Sequence, residues 1–302
     1  MLQRNFCFIL FFAFLTEQIQ AQDIDLNQML EEEQKKEAKD KINYTIATFK
    51  TTRLINGQSI ETTQQGVMDL KISHRFGTVN GGAYEFFGLD NASMRFGFDF
   101  GLSPKLMIGV GRSTYQKQFD GFIKYKLLRQ STGKRNMPIS LALMTSAMVT
   151  TLKWTDPTRP NYFSSRLQYA HQIIIARKFS ESTSIQLMPT LVHYNLVTNA
   201  NDPNDIIAIG IGGRQKITPR ISINAEYYYQ LPAYKLPNTT NSLSFGVDIE
   251  TGGHVFQLHF TNSRGMTERT FISETAGKWE KGDILFGFNI SRVFTIKKVK
   301  KK

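Results

Sequence analysis

Alternation of apolar and polar residues, repeated in one segment after another, is the feature that most limits how this chain can fold. The clearest case alternates Met94, Phe96, Phe98 and Phe100 with Arg95, Gly97, Asp99 and Gly101. A period of two indicates a β-strand, because successive side chains point to opposite faces. Segments of about nine to twelve residues with this pattern recur from Asn43 to Ile296, separated by turn residues such as Pro104, Pro219 and Gly252. We therefore expect an all-β fold.

Hydropathy decides which classes of membrane protein remain open. The chain has 302 residues, of which 41% are hydrophobic, and its mean hydropathy is −0.28. Outside the N-terminus it contains no run of about 18 apolar residues, so a helical membrane protein is excluded. A membrane β-barrel remains possible, because only every second residue of each strand meets lipid. The non-apolar face of the segments is rich in glycine and charge, which favours a polar lumen over a soluble sandwich.

The connections between segments alternate in length. Tight turns are expected at Ser103-Pro104, Glu181-Ser182, Thr218-Pro219 and Gly252-Gly253. Long loops are expected at residues 77–91, 153–163, 198–204, 231–241 and 261–281. Outer-membrane barrels have short periplasmic turns and long extracellular loops. The pattern predicts a transmembrane antiparallel β-barrel over residues 66–296, with about twelve strands and fourteen as the alternative count, whose last strand pairs with residues 66–76.

The parts of the chain outside the barrel have distinct compositions. Residues 1–21 are typical of a cleaved signal peptide, because the apolar stretch is too short for a spanning anchor. Residues 22–41 predict a charged helical or disordered leader. Residues 42–65 are interpreted as a pre-barrel segment in the lumen or along the periplasmic mouth, since a thirteenth strand would begin outside; within them, Tyr44–Leu54 predicts a threonine-rich strand. Residues 297–302 form a basic tail.

Cysteine content and charge exclude two further classes of chemistry. The only cysteine, Cys7, lies in the predicted signal peptide, so the mature chain has no disulfide or thiol chemistry. The net charge is +12, and part of it belongs to the tail, at Lys297, Lys298, Lys300, Lys301 and Lys302. The other bases lack the aromatic spacing and fold signature of a nucleic-acid module, so we expect no nucleic-acid partner.

An ordered set of short motifs carries a family resemblance: His74-Arg75-Phe76-Gly77, Gly88-Leu89-Asp90, Gly111-Arg112-Ser113, Asp120-Gly121-Phe122 with Lys124-Tyr125, and Leu128-Arg129-Gln130. Over residues 42–296 the chain resembles a family of uncharacterised outer-membrane β-barrel proteins from Bacteroidota-type, Gram-negative bacteria. The resemblance implies a barrel in the cell outer membrane and no particular activity. The chain departs from the usual barrel sequence at its end. Barrel assembly usually recognises an aromatic residue at the end of the last strand, but here Phe294 is followed by the lysine tail and is therefore internal.

No motif specifies a catalytic site. The glycine-rich runs around Gly109 and Gly210 do not open a helix, so they do not predict phosphate loops. An outer-membrane lipid hydrolase would need a Ser–His pair on neighbouring lipid-facing strands. The serines and histidines available for such a pair are Ser140, Ser146, Ser165, His171 and His193. None of them has the spacing of a catalytic triad. We expect no enzyme activity, and no cofactor or metal, because the histidines are scattered singly.

Inward-facing charged residues are the candidate functional set. They are Arg75, Arg95, Asp99, Lys124, Lys126, Arg214, Glu226, Asp248 and Glu250. The first hypothesis is a porin-like channel for small polar or anionic solutes, lined by these residues. The alternative is a non-conducting barrel, plugged by ion pairs and by Tyr44–Leu54, that serves as a scaffold or adhesion surface. Arg75 is expected to pair with an inward carboxylate such as Asp99. The expected partners of this monomeric barrel are outer-membrane lipid, the barrel assembly machinery and small solutes.

Overall fold

The computed structural model of the protein describes residues 30, 31, 33, 40–158 and 160–298. The predicted signal peptide, most of the predicted leader and the end of the basic tail lie outside the described residues. In the part of the chain that is described, no helix is both long enough and apolar enough to cross a membrane.

Antiparallel strands close into a barrel, as the alternation predicts. The described residues contain twelve wall strands, which confirms that count over fourteen. The strands in chain order are β1 Ile42–Tyr44, β2 Val67–Thr78, β3 Ala92–Gly101, β4 Leu106–Ser113, β5 Gln118–Leu128, β6 Ser131–Gly133, β7 Ser140–Thr150, β8 Leu167–Lys178, β9 Thr183–Tyr194, β10 Asp205–Lys216, β11 Ile221–Gln230, β12 Ser242–Thr251, β13 His254–Thr261 and β14 Leu285–Thr295. Strands β1 and β6 form a separate two-stranded sheet, and the other strands form the wall.

The outward face of the wall is apolar. Phe96, Phe98, Ile123, Ile209 and Ile211 are 38–56% exposed, as a lipid-facing surface requires. Each lies between residues that point into the barrel, because side chains alternate along a strand. A shift of one residue in strand pairing would turn these apolar side chains inward, so the alternation also determines the register.

The barrel closes between β2 and β14, the pairing that the connection pattern predicts. Leu285 lies opposite Thr78, and Thr295 lies opposite Val67. Outward aromatic rings pack across this seam: the ring of His74 stacks on Phe288 with centroids 5.0 Å apart, and Phe76 stacks on Phe286 at 5.7 Å. Aromatic pairs of this kind stabilise cross-strand contacts. The last strand is therefore the closing strand.

The prediction that short turns and long loops alternate strictly is wrong at two connections. Both ends of the wall lie on the rim that carries most of the tight turns, which identifies it as the periplasmic rim. Residues 114–117, on the opposite outer rim, join β4 to β5 by a short connection. Residues 129–139, on the periplasmic rim, form a longer one because they contain β6, which pairs with β1.

Residues 45–65, here called the inner segment, run through the lumen. Residues 51–60 are all buried. The predicted strand at Tyr44–Leu54 is wrong, because regular pairing stops at Tyr44 and the chain then turns back at Asn56-Gly57. The N–H of Leu54 donates to the carbonyl oxygen of Gly57 over 2.8 Å in this turn. The inner segment is therefore a folded-back chain inside the wall and not a part of it.

Residues 262–277, between β13 and β14, also enter the lumen and are here called the infolded loop. The sequence places a long outer loop here, and the structure turns it inward. It contains one short helix, α1 Glu268–Ser273, all of whose residues are buried. A capping box starts the helix: the hydroxyl of Thr270 accepts the N–H of Thr267 over 3.2 Å, and the Thr267 side chain bonds back. The infolded loop fills the outer part of the lumen.

Gly101 lies where the inner segment leaves the lumen to enter β2. A Cβ there would lie 2.0 Å from the carbonyl oxygen of Gln64, a backbone atom with little freedom to move. We expect Gly101→Ala to lower the free energy of unfolding by about 1–3 kcal/mol, the usual cost of overpacking, in urea unfolding of the refolded protein. Gly121→Ala is the control, because its Cβ would meet nothing closer than 3.6 Å. An equal loss in both variants would contradict the crowding at Gly101.

Candidate functional site

The lumen has two chemically different walls. On one side the inward side chains are charged or polar, as the sequence predicts. On the other side, over β4 to β10, a group of buried apolar side chains, here called the apolar wall, lies among buried polar ones such as Gln172, Gln186 and Thr190. Its members are Met107, Phe122, Ala142, Met144, Met148, Ala170, Ile174, Met188, Val192 and Ile206. Alternation alone could not reveal this apolar wall, because the outward neighbours of these residues are mostly apolar too. The apolar wall is buried against other protein side chains, as in a protein core.

Apolar side chains of the inner segment and of the infolded loop cover the apolar wall. Phe49, Leu54 and Ile60 form one buried cluster with it. Phe271 and Ile272 of the infolded loop belong to a second cluster. Full burial of a Leu, Ile or Phe side chain contributes about 1.5–3 kcal/mol. Both segments are thus held in the lumen by packing as well as by polar contacts.

Glu226, on β11, binds the turn of the inner segment. Its carboxylate accepts hydrogen bonds from the backbone N–H groups of Ile55, Asn56 and Gly57, at 3.2, 2.7 and 3.1 Å. The Glu226 residue is 1% exposed. Gly57 allows the turn to lie this close to β11, since a Cβ at residue 57 would lie 2.1 Å from the hydroxyl oxygen of Tyr228, also on β11. A carboxylate predicted to line a solute path therefore binds peptide backbone.

Lys124 and Asp99 hold the two arms of the inner segment. Lys124 Nζ donates to the carbonyl oxygens of Thr52 and Ser59 over 3.3 and 2.9 Å, and to Gln58 Oε1 over 3.1 Å. Asp99 Oδ2 accepts the hydroxyl of Thr52 at 2.9 Å. Lys124 and Asp99 are both fully buried. Oxygen atoms of the inner segment thus take the place of water around a buried ammonium group.

The predicted pair between Arg75 and Asp99 is wrong. The guanidinium of Arg75 donates to Asn56 Oδ1 over 2.6 Å and to Asn289 Oδ1 over 3.3 Å. The reason is that the turn of the inner segment places Asn56 within reach of Arg75. Arg75 therefore joins the inner segment to the closing strand β14.

The other predicted residues also face inward. Those that contact the periplasmic part of the inner segment are Arg214 with the carbonyl oxygens of Ala47 and Thr48, Lys126 with Glu61, and Glu250 with Lys50. Asp248 accepts Gln257 Nε2 at 2.9 Å, and the same nitrogen donates to the carbonyl oxygen of Leu54 over 2.7 Å. Arg95 is bound to the wall itself, by Asp120 at 2.5 Å. Most of the candidate residues are thus occupied by the inner segment.

The inner segment and the infolded loop meet at one ion pair. Arg53 Nη1 lies 3.2 Å from Glu268 Oε1 and also donates to the carbonyl oxygen of Asn56 over 2.7 Å. The Arg53 and Glu268 side chains are 5% and 2% exposed. Sequence analysis missed both residues, because one lies in a segment predicted as a strand and the other in a segment predicted as an outer loop. The ion pair joins the inner segment, which enters from the periplasmic side, to the infolded loop, which fills the outer part of the lumen.

A second ion pair closes the outer end of the lumen. Arg269 Nη2 lies 2.5 Å from Glu274 Oε1. Gln116 bonds to both residues, at 2.8 and 2.9 Å, and the hydroxyl of Tyr194 contacts Ser273 Oγ at 2.7 Å. Burial lowers the pKa of Arg269, but the Glu274 carboxylate outweighs burial and holds that pKa above its ordinary value. The guanidinium therefore stays charged and paired.

The residues considered for lipid hydrolysis do not come together. Ser140 and Ser146 are buried and face the lumen, whereas His171 and His193 face outward. Ser165 lies in the outer connection before β8. Among residues 40–158 and 160–298, and the few described before them, no three His, Cys, Asp or Glu side chains are placed to hold a metal ion.

A cavity of about 780 Å³ opens at the periplasmic rim, between the inner segment and the wall. Its lining includes Thr51, Thr63, Asp69, Arg220 and Glu250. Residues of the inner segment form one side of it, and no residue of the infolded loop lines it. The cavity is a periplasmic vestibule that stops at the inner segment.

Comparison with known proteins gives one family match and several structural likenesses. The model of a family described as Membrane bound beta barrel domain (DUF5777) matches residues 49–294. The NanC porin is 7% identical, with 76% of this chain and 98% of that chain covered and a TM-score of 0.48. The KdgM porin is 9% identical, with 76% and 99% covered and a TM-score of 0.45. The Acinetobacter baumannii outer membrane protein Omp33 is 9% identical, with 76% and 100% covered and a TM-score of 0.41. No curated protein matches the chain.

Proposed function

The chain belongs to the family of membrane-bound β-barrel domains. From that premise we propose that it is a closed barrel in the sense that its lumen is blocked, so that at rest it conducts neither ions nor small solutes. A membrane-bound antiparallel barrel with an even number of strands is the architecture of the bacterial outer membrane, and the protein is a barrel of that membrane. Its role is then that of a scaffold that presents outer loops at the cell surface.

The observation that carries this proposal is the contact between the two segments inside the lumen. The inner segment enters from the periplasmic side, the infolded loop enters from the outside, and Arg53 of one binds Glu268 of the other. Apolar packing on one wall and hydrogen bonds on the other leave both segments fixed. The family match begins at residue 49, so it includes most of the inner segment as well as the infolded loop.

Exposed aromatic side chains on the outer connections support a role at the surface. Tyr84, Phe86 and Phe87, between β2 and β3, are 95, 60 and 57% exposed. Tyr162 and Phe163, before β8, are 68 and 66% exposed. Aromatic residues are enriched in protein interfaces, because they bury a large area at a small entropic cost. These outer connections are the part of the scaffold that we expect to meet a partner.

A gated pore for small polar or anionic solutes is the second candidate. The periplasmic vestibule favours it, because part of the lumen is already open to water. Departure of the inner segment would expose Arg75, Lys124 and Arg214 to the lumen. A pore with these cations at its surface would favour anions.

Conductance of the refolded protein in planar lipid bilayers tests the closed barrel. We expect no conductance steps from the full chain, and none from a control that lacks residues 22–41. A variant that lacks both residues 42–62 and residues 263–276 is expected to conduct, because both halves of the lumen are then empty. Heat-modifiable migration on a gel establishes that each protein is folded. Stable steps from the full chain would support the pore instead, and a folded but silent deletion variant would show that these segments do not close the barrel.

A further inference from the structure

Three periplasmic turns share one sequence pattern and one hydrogen-bond pattern. They are Leu102-Ser103-Pro104-Lys105-Leu106, Phe179-Ser180-Glu181-Ser182-Thr183 and Ile217-Thr218-Pro219-Arg220-Ile221. In each, the N–H of the first residue donates to the carbonyl oxygen of the fifth over 2.9 Å. The hydroxyl of the second residue accepts the N–H groups of the fourth and fifth at 3.0–3.3 Å. The same backbone path gives the first side chain the same position in each turn.

The first position of each turn carries a large apolar side chain that the protein does not bury. Leu102, Phe179 and Ile217 are 48, 58 and 57% exposed. Ile296, which follows the end of β14 on the same rim, is 60% exposed. Single exposed apolar residues are ordinary on a protein surface. Repetition at one level of a membrane barrel instead marks the boundary between acyl chains and headgroups.

Exposed bases accompany these apolar residues around the periplasmic rim. They include Lys105, Arg177, Arg220, Arg292 and Lys297. None of these five has a carboxylate partner among the ion pairs of the described residues; on this rim Lys178 pairs with Glu181 and Lys50 with Glu250. On the outer rim, by contrast, exposed or half-buried acids such as Asp90, Asp202 and Glu280 offset bases such as Lys117, Lys235 and Lys281. The excess positive charge of the barrel lies on the periplasmic rim.

Two of these bases already lie over aromatic rings on the outward face. Arg177 lies 5.1 Å from the ring centroid of Phe179, and Arg292 lies 5.0 Å from that of Phe294. An aromatic ring at the membrane interface sits at the level of the headgroups. A guanidinium held over such a ring can form paired hydrogen bonds to a phosphate group. Arg177 and Arg292 are therefore placed to bind a lipid phosphate group.

We propose that the periplasmic rim binds the anionic phospholipid headgroups of the inner leaflet, with the first-position apolar side chains inserted among the acyl chains. The bases and apolar residues lie at or just beyond the periplasmic ends of β3, β8, β10 and β14, which are separated around the circumference of the barrel. A flat leaflet meets all of these positions at once, whereas a globular protein would cover one side. Attraction to an anionic leaflet contributes about fivefold in binding for each Lys or Arg near the surface. This proposal does not depend on whether the lumen is closed.

Native mass spectrometry of the detergent-solubilised full chain tests the preference. We expect the protein to retain phosphatidylglycerol over phosphatidylcholine of the same acyl chains. Neutralisation of the rim, by Lys105→Gln, Arg177→Gln, Arg220→Gln and Arg292→Gln, is expected to weaken that preference by about fivefold for each base. The matched control neutralises Lys117, Lys153, Lys235 and Lys281 on the outer rim and is expected to keep the preference. Equal retention of the two lipids, or equal loss in the two variants, would overturn the proposal.

Two further measurements locate the lipid and identify the group that is bound. The two tryptophans, Trp154 and Trp279, lie on outer connections, so Phe179→Trp in a Trp154→Phe, Trp279→Phe background reports on the periplasmic rim. Its fluorescence is expected to be quenched more by brominated phosphatidylglycerol than by brominated phosphatidylcholine in mixed vesicles. Soluble glycerol phosphate should not displace the lipid, because it lacks acyl chains. Equal quenching by both lipids would contradict the lipid assignment and would fit an anionic protein partner instead. Displacement of the lipid by glycerol phosphate would also contradict it.

Discussion

Glu226→Ala is expected to lower the free energy of unfolding by about 3–5 kcal/mol, because it removes the acceptor of three buried backbone N–H groups. Each buried donor left without a partner costs about 1–3 kcal/mol, and the truncated side chain leaves a cavity as well. Urea unfolding of the refolded protein in detergent, followed by tryptophan fluorescence, measures the change. Glu226→Gln, which keeps the shape and one accepting oxygen, should lose less than Glu226→Ala.

Glu250→Gln is the matched control for Glu226, because it alters a carboxylate on the next strand that also contacts the inner segment. The Glu250 side chain is 43% exposed and pairs with Lys50. Ion pairs at such positions contribute about 0–1 kcal/mol, because water and salt screen them. If Glu226→Ala and Glu250→Gln had similar effects, Glu226 would not be the anchor of the turn.

Breaking the ion pair between Arg53 and Glu268 is the second change with a large expected effect. Arg53→Met and Glu268→Gln should each cost about 3–5 kcal/mol, because each leaves the opposite charge buried without a partner. The double variant should lose clearly less than the sum of the two losses. A double-mutant cycle on the free energy of unfolding measures this coupling.

The exposed pair of Lys178 and Glu181 provides the control cycle. Its atoms lie 3.0 Å apart, as close as those of the buried pair, but the Glu181 side chain is 92% exposed. We expect no measurable coupling there, because water screens the exposed carboxylate. Strictly additive losses at Arg53 and Glu268 would mean that the two segments occupy the lumen independently of each other.

The wall of the barrel could be predicted from the sequence strand by strand. For its contents the sequence placed residues 42–65 in the lumen or along the periplasmic mouth, but it did not predict the path of the inner segment or the entry of the infolded loop. Alternation along each strand determines which side chains face lipid, and the number of alternating segments gives the number of strands. The inner segment has no such period. Its position depends on contacts such as that of Glu226 with Ile55, residues 171 positions apart in the chain. Contacts over that distance leave no local pattern in the sequence.

The candidate residues show a second limit of sequence reasoning. All nine face inward, as their alternation predicts, and their use as a solute path stays a prediction. A charged side chain that faces a lumen has the same pattern in the sequence whether water, a solute or a peptide lies next to it. The apolar wall was missed for a related reason: Met144 faces inward and Leu143 faces outward, and two consecutive apolar residues do not say which of them is buried in protein.

The closing strands and the filling of the barrel are consecutive in the chain. The inner segment leads directly into β2, and the infolded loop leads directly into β14, the two strands that meet at the seam. During synthesis the inner segment emerges before any of the wall, and the infolded loop emerges just before the final strand. We expect pairing of β14 with β2 to enclose both segments, because each segment is joined in the chain to one of these two strands. Filling of the interior is then expected to be part of the closure of the wall.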